Sequence, residues 1–305
     1  MISGAGGLIG KALLQRFETS GHDVFRLVRR PPTRAGELEW DPESGRLDPR
    51  LMDGIDAVIN LSGAEIAGRP WTRSYIERLY STRLRSTRTL TSAMRAVDHP
   101  PAVFLSQSGS GYYGEGGSNV LDENTPSGSN LMADICRRWE EAASTAPDGT
   151  RTVLTRTGVV LSPRGGALEK ILIPLRFGAG GALGSGRQWW PWITLADNVR
   201  VMEFLLSADC RGPVNVCAPE AATLQQLIDA IGGRLNRPTS FNVPAPLLKA
   251  IMGQLASNLL LASARMEPAA LLKAGFKFEH PTVPDGVDWV AGQLSRHLLV
   301  PISPR

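Results

Sequence analysis

The sequence predicts an α/β fold in which helices cover both faces of a parallel sheet and a smaller C-terminal lobe follows. Three observations carry this prediction: a glycine-rich turn near the first residue, short apolar runs that alternate with helical segments, and a change to a glycine-rich composition after Pro163. Nearly continuous apolar runs are typical of parallel strands that are buried on both faces. Their alternation with helices indicates a doubly wound sheet.

The first of these features is a GxxGxxG turn formed by Gly4, Gly7 and Gly10. Apolar residues then recur with helical spacing from Ile9 until the chain turns at Ser20, and a strand follows. A unit of this kind, in which a glycine turn joins a strand to a helix and a second strand follows, binds a pyrophosphate at the start of the helix. The alternative is a glycine-rich turn without a ligand. The residues predicted to bind a dinucleotide here are Gly4, Gly7, Leu8, Ile9 and Gly10.

The end of the second strand, at residues 24–28, indicates which dinucleotide is preferred. An acidic residue there would bind the adenosine ribose, but Arg29 and Arg30 occupy this position, and Asp23 lies before the strand. Guanidinium groups bind phosphate in a bidentate manner. We therefore predict that Arg29 and Arg30 bind the 2'-phosphate of NADP(H). The alternative is that both arginines belong to a solvated strand end.

Further apolar runs predict strands at residues 56–61, 102–106 and 153–161, with helices at 75–97 and 131–143 between them. Only three residues precede Gly4, whereas a strand usually has about five or six residues. We therefore expect a shortened first strand. A glycine-rich loop at 177–186 and helices around 224–231 and 247–264 follow. We predict a Rossmann-type NADP(H)-binding domain at 1–165 and a smaller substrate-binding lobe at 166–305, from which residues around 193–216 pack back onto the first domain.

Composition excludes several functional classes. The three cysteines have no CxxC spacing, and the histidines have no metal-ligand spacing, so we expect neither disulfides nor a metal site. A net charge of +4 with scattered arginines does not predict nucleic-acid binding. No leader or membrane-spanning run is evident, so a cytoplasmic protein with a small-molecule substrate is expected. A homodimer is compatible with these features.

Several motifs resemble the extended, sugar-epimerase-like branch of the short-chain dehydrogenase/reductases, over nearly the whole chain. They lie at residues 4–10, 60–64, 106–114, 156–163, 192–197 and 212–216. Residues 69–72 and 184–188 resemble more narrowly its atypical subgroup, labelled epimerase family or nucleoside-diphosphate-sugar epimerase. The resemblance implies that Leu61, Ser62 and Gly63 also contact the cofactor.

In that branch, the resemblance implies catalysis by a Tyr-x-x-x-Lys pair, whose lysine lowers the pKa of the phenol, together with a serine at a strand end. This sequence lacks the pair, and no lysine lies between Lys11 and Lys170. If Glu140 is aligned with the acidic residue that follows the pair, Cys136 takes the lysine position and Met132 the tyrosine position. We therefore expect the usual chemistry to be badly slowed.

Other residues must then supply the catalysis that the missing pair would provide. The serine position is retained as Ser108, with Ser106 and Ser110 close by. Tyr112 or Tyr113 would serve as the acid if an arginine such as Arg83 approached closely enough to lower the pKa of the phenol. Alternatively, both rings only form the wall of the nicotinamide pocket. For Cys136, a small buried residue is expected over a redox thiol.

The loop around Arg187, Trp189 and Trp192 resembles the region where the family receives a nucleotide-sugar diphosphate. An arginine can bind an anion, and aromatic rings can bind a sugar or base; the alternative is that the rings serve in packing. Two functions remain open. The first is an epimerase-like oxidoreductase that uses NADP(H) on a carbonyl, hydroxyl or nucleotide-sugar-like compound. The second is a catalytically weak NADP(H)-binding sensor or regulatory protein.

Overall fold

A parallel sheet of seven strands forms the centre of the molecule in the computed structural model, which describes residues 1–163, 165–178 and 180–294. The strands are β1 (Ile2–Ser3), β2 (Arg26–Val28), β3 (Glu37–Glu39), β4 (Ala57–Asn60), β5 (Val103–Gly109), β6 (Val120–Leu121), β7 (Arg151–Thr157), β8 (Val159–Leu161), β9 (Trp192–Thr194), β10 (Gly212–Val216) and β11 (Arg265–Met266). The order in the main sheet is β10-β7-β5-β4-β1-β2-β3, whereas β6 pairs with β11 and β8 with β9.

Helices cover both faces of this sheet and build the C-terminal lobe. They are α1 (Leu8–Thr19), α2 (Arg73–Arg95), α3 (Leu131–Ala143), α4 (Gly166–Arg176), α5 (Leu195–Ser207), α6 (Leu224–Arg234), α7 (Ala245–Met252), α8 (Ala269–Lys273) and α9 (Val283–Gln293). None of the helices in the described ranges has the length and apolar character that a membrane span requires. The predicted doubly wound α/β class is confirmed.

The strand order reverses at β1, which lies between β2 and β4. In open parallel sheets, ligands bind in the crevice outside the carboxyl ends of the two strands at such a point. The turn after β1 carries the glycine motif, and the turn after β4 carries residues 61–64. The topology therefore directs a ligand toward these two turns.

Two boundaries differ from the prediction. Residues 153–161 are not one strand, because the chain leaves the main sheet at Gly158, where a Cβ atom would lie 2.6 Å from the carbonyl oxygen of Pro191. Residues 247–264 are not one helix, because Gly253 ends α7 with a φ of 55° and a π-helical turn, Ala256–Leu260, follows. Both breaks occur at glycines that make close or left-handed backbone conformations possible.

The segment after the C-terminal lobe's first helix returns to the sheet. Strand β10 pairs with β7 at the sheet edge, and α5 packs against α1 in the main hydrophobic core. A second core, around Trp192, joins α4, α6 and α9. The division into domains at residue 165 stays a prediction, and residues 295–305 of the predicted lobe lie outside the described residues.

A buried polar network joins β1, β4 and α2 at the crossover point. The Ser3 hydroxyl donates to Asn60 Oδ1 at 2.8 Å, and Asn60 Nδ2 donates to Thr87 Oγ1 at 2.8 Å. Asn60 Oδ1 also accepts from the amide of Ser62 at 3.2 Å, and Trp139 Nε1 donates to Thr87 Oγ1 at 2.9 Å. Buried polar groups that are hydrogen-bonded in this way rigidify a core. The network therefore fixes the turn after β4.

The glycine motif packs backbone against backbone. Gly4 has a φ of 72°, and a Cβ atom there would lie 2.7 Å from the carbonyl carbon of Leu61. At Gly10, a Cβ atom would lie 2.5 Å from the carbonyl oxygen of Gly4. Neither position leaves space for a side chain, and the close contact brings α1 next to β1 and the end of β4.

We expect Gly10→Ala to lower the free energy of unfolding by about 1–3 kcal/mol, the usual cost of overpacking. Urea titration in the absence of nucleotide measures this change. Gly6→Ala is the matched control, because no atom lies within 4 Å of the Cβ position there. Equal stability of the two variants would contradict the packing role of Gly10.

Candidate functional site

Two cavities meet at the glycine turn, on the crevice side of the crossover point. The Arg29 cavity, of about 360 Å³, extends toward the end of β2, and the Ser108 cavity, of about 390 Å³, extends toward the end of β5. Both are lined by Gly4, Gly7, Leu61, Gly63 and Ala64. They form one continuous cleft over the two turns that the topology singled out.

Helix α1 starts at this cleft. Its N-cap, Gly7, provides no side-chain hydrogen bond, and its first turn contains no acidic residue. The first N–H groups of a helix lack partners inside the helix and favour an anion. Leu8, Ile9 and Gly10 line the Ser108 cavity beside them. The predicted glycine-turn residues therefore lie together, and the amides of the first turn are available to an anion.

The Arg29 cavity contains one of the two arginines predicted at the end of β2. Arg29 lines it together with Arg78 of α2, and neither forms an ion pair with any other described residue. Arg30 does not line the cavity, because its guanidinium group makes a bidentate contact with Glu37 of β3 at 2.8 and 2.9 Å. Hydrogen bonds from Arg30 lower the pKa of Glu37 to about 2.

Arg78 was not among the predicted site residues. It belongs to a face of α2 that also brings Thr82 and Ser86 to the Arg29 cavity. These three polar residues recur at every fourth position, which places them on one side of a helix. That spacing is the signal from which Arg78 could have been predicted. Trp40 also lines this cavity and has no such signal, because the short strand β3 before it was not predicted.

In the second cavity, Ser108 near the end of β5 is held by a buried ion pair. Its hydroxyl donates to Glu140 Oε1 at 2.7 Å, and Arg156 binds both carboxylate oxygens of Glu140, at 3.0 and 2.9 Å. All three side chains are buried. Since the single proton of Ser108 is donated to Glu140, the serine oxygen has acceptor lone pairs with which it can bind a donor in the cavity.

Neither predicted tyrosine lines the Ser108 cavity in the described structure. The Tyr113 hydroxyl lies 2.7 Å from Asn215 Oδ1 and accepts from Arg156 at 3.0 Å, and burial raises its pKa to about 12. The Arg156 guanidinium lies 3.4 Å from the centre of the Tyr112 ring. The arginine that reaches the tyrosines is therefore Arg156 and not Arg83, and the pKa of Tyr113 rises instead of falling.

Helix α3 contributes the two residues that the alignment on Glu140 predicts at the positions of the missing pair. Met132 and Cys136 both line the Ser108 cavity. Burial, with a smaller contribution from Glu140, raises the pKa of the Cys136 thiol to about 12. The thiol is therefore protonated at neutral pH, as expected for a small buried residue. Lys170 of α4 also lines this cavity, at its exposed side.

The predicted substrate loop does not reach either cavity. Trp192 is 1% exposed and lies in the second core, where its Nε1 donates to the carbonyl oxygen of Glu220 at 3.0 Å. Trp189 is covered by the guanidinium of Arg265 at 4.7 Å, and Arg187 is exposed. For Trp192, packing is the role that the structure shows.

Asp197, Glu279 and His280 bring three potential metal-ligand atoms within 4.8 Å of one another, which the spacing of the histidines had not predicted. The Asp197 carboxylate accepts from the amides of Glu279 and His280 and pairs with Arg200 at 2.7 Å. These bonds already explain the buried carboxylate, so the cluster fixes the chain after α8 to α5.

We expect Glu140→Gln to destabilise the fold by about 3–5 kcal/mol, because the charge of buried Arg156 would lose its partner. Thermal or urea unfolding measures the loss. Glu141→Gln is the matched control one residue along α3, since Glu141 is exposed and its ion pair with Arg137 is solvated. Similar stabilities of the two variants would show that the buried pair does not hold this region together.

Comparison with known proteins shows the family of this chain. Residues 1–217 match the NAD dependent epimerase/dehydratase family, and residues 243–290 match a domain of unknown function, DUF1731. An epimerase family protein of Mycobacterium bovis is 40% identical over 290 residues, which cover 94% of this chain and 96% of that protein.

Two solved structures are similar over most of the chain. The crystal structure of human epimerase family protein SDR39U1 (isoform 2) with NADPH has a TM-score of 0.89 and 30% identity, and the match covers 96% of this chain and 99% of that one. A nucleoside-diphosphate sugar epimerase of Corynebacterium glutamicum has a TM-score of 0.75 and 30% identity, over 94% of this chain and 57% of that one. The resemblance predicted from the motifs is confirmed, and the chain belongs to the NAD-dependent epimerase/dehydratase family.

Proposed function

We propose that this protein binds NADP(H) and acts as an oxidoreductase on a hydroxyl, carbonyl or nucleotide-sugar-like compound. One observation carries the proposal: a single cleft joins a helix N-terminus, an arginine without an ion-pair partner in the described structure and a buried serine relay. The cleft also fits a dinucleotide sterically, because the glycine turn leaves its amides uncovered. NADPH in the human SDR39U1 structure supports the same cofactor here.

In this proposal, the pyrophosphate lies on the amides of Gly7, Leu8 and Ile9, and the adenosine end occupies the Arg29 cavity. Arg29 and Arg78 would bind the 2'-phosphate through their guanidinium groups, since both residues line that cavity. Glu43 lines it too, but this carboxylate is paired with Arg85. Arg30 acts only indirectly, because its donors are used by Glu37 and it neutralises the charge of that carboxylate.

The nicotinamide end would then occupy the Ser108 cavity, beside Met132 and Cys136. When bound, the cofactor supplies or accepts the hydride. Ser108 would accept the proton of a substrate hydroxyl and pass its own proton to Glu140, while Arg156 fixes both carboxylate oxygens. Reduction of a carbonyl would use the same hydrogen bonds in reverse, after Glu140 has taken up a proton from solvent. This relay needs no tyrosine.

A second candidate function is NADP(H) sensing without efficient turnover. It is favoured by the positions of the two tyrosines, neither of which lines the Ser108 cavity in the described structure, and by the protonated thiol of Cys136. Both functions use the same cofactor site. They differ in whether Ser108 and Glu140 move protons, so turnover separates them.

We expect the unaltered protein to bind NADPH more tightly than NADH. Arg29→Ala should reduce this preference about tenfold or more, because a charge-assisted phosphate contact is lost, and combining it with Arg30→Ala should abolish the preference. Arg30→Ala alone should change it less, since Arg30 is paired with Glu37. Isothermal calorimetry with both nucleotides measures the affinities, and equal affinities in the unaltered protein would overturn the cofactor assignment.

For the oxidoreductase, we expect NADPH oxidation with at least one member of a panel of aldehydes, ketones and 4-keto nucleotide sugars. Ser108→Ala should lower kcat about a hundredfold, as is usual for loss of a proton-transfer group. Tyr112→Phe is the matched control, because Tyr112 does not line the cavity. NADPH binding without turnover of any panel member would favour the sensor.

A further inference from the structure

A buried cation lies beneath the Ser108 cavity, and the proposed mechanism does not use it. Arg83 of α2 is 5% exposed, and its guanidinium donates to the carbonyl oxygens of Leu79 and Ala64, each at 3.0 Å. Its Nε is buried and has no hydrogen-bond partner among the described residues, and no described carboxylate forms an ion pair with it. The group lies 5.0 Å from the ring centre of Trp139.

Such a group is costly to bury, because an ion loses its hydration without gaining an opposite charge. Burial lowers the pKa of Arg83, but a guanidinium group remains protonated in proteins. The protein therefore keeps a full positive charge inside its core. A buried charge without an acidic partner is a candidate for a functional group.

The position of Arg83 connects this charge to the proposed nicotinamide end. Arg83 lines the Ser108 cavity, and a Cβ atom added at Gly63 would lie 3.1 Å from its Cγ and 3.2 Å from its Cζ. The positive charge also opposes the rise in the pKa of Cys136, so the two groups are electrostatic neighbours. In the alignment on Glu140, Cys136 takes the lysine position of the family, and α2 then supplies a cation that α3 lacks.

Arg83 also determines the sign of the charge at this cavity. The other charged residues among its described lining are Lys170 and Glu65, which pair with each other at 3.6 Å. Behind Ser108, Glu140 is neutralised by Arg156 at 2.9 Å. The described cavity therefore has one uncompensated charge, and this charge is positive.

We infer that Arg83 makes this site selective for the reduced cofactor. The inference rests on the proposed function, in which the nicotinamide ring occupies the Ser108 cavity. The ring is positively charged in NADP⁺ and neutral in NADPH, whereas the phosphates of the two forms are the same. A nearby guanidinium group repels only the oxidised ring, and in a site of low dielectric such repulsion is strong.

The test compares the affinities of NADPH and NADP⁺ for the full chain, by calorimetry, in the unaltered protein and in Arg83→Gln, Arg83→Lys and Arg78→Gln. We expect the unaltered protein to prefer NADPH by about tenfold or more, Arg83→Gln to lose most of this ratio, and Arg83→Lys to keep it. Arg78→Gln is the matched control, because it removes a cation from the Arg29 cavity and should weaken the binding of NADPH and NADP⁺ equally.

The outcomes separate the inference from the proposed function. If the unaltered protein binds neither nucleotide, the proposed function fails and the inference fails with it. If both nucleotides bind and Arg83→Gln keeps the ratio, only the inference fails. Loss of the ratio in Arg83→Lys as well would also overturn it, because shape and not charge would then control the preference. A thermal unfolding curve confirms that each variant is folded.

Discussion

The contact on which the rest of the cleft depends is the approach of the turn after β1 to the turn after β4. Gly4 lies so close to Leu61 that even a methyl group would not fit between them. Because these turns meet, the first amides of α1 and residues 61–64 face the same crevice. The hydrogen bonds of Asn60 to Ser3 and Thr87 then hold the two strands and α2 in that relation. Residues of both turns line the two cavities.

The second half of the cleft depends on a different interaction, the buried pair of Glu140 and Arg156. This pair directs the Ser108 proton away from the cavity and also draws Tyr112 and Tyr113 toward Arg156. One ion pair thereby explains why Ser108 lines the described cavity and why the two tyrosines do not. In an ordinary member of the family the resemblance implies a tyrosine and lysine for this work, and here the same helix carries apolar and thiol side chains instead.

The sequence was sufficient for the fold class, the glycine turn and the family, because each depends on local spacing that backbone geometry imposes. It was less informative about side chains whose partners are distant in the chain. Arg29 and Arg30 are neighbours in sequence, but pairing of β2 with β3 engages Arg30 with Glu37, and β3 had no pattern that predicted it. Likewise, the Trp192 ring packs on Gly286, a contact that spans two separate segments. Long-range pairing, and not local propensity, determines the contacts of these side chains.

The two halves of the cleft differ in whether their cations are exposed or buried. At the Arg29 cavity, the cations are exposed and lie beside solvent, where the proposed phosphate contact would cost little desolvation. At the Ser108 cavity, the uncompensated cation is buried, where a low dielectric lengthens the reach of its field. An exposed guanidinium group selects between ligands through direct contact. A buried one selects between them through the charge of the ligand group that occupies the cavity. The same residue type can therefore serve phosphate recognition at one end of a dinucleotide and redox-state recognition at the other.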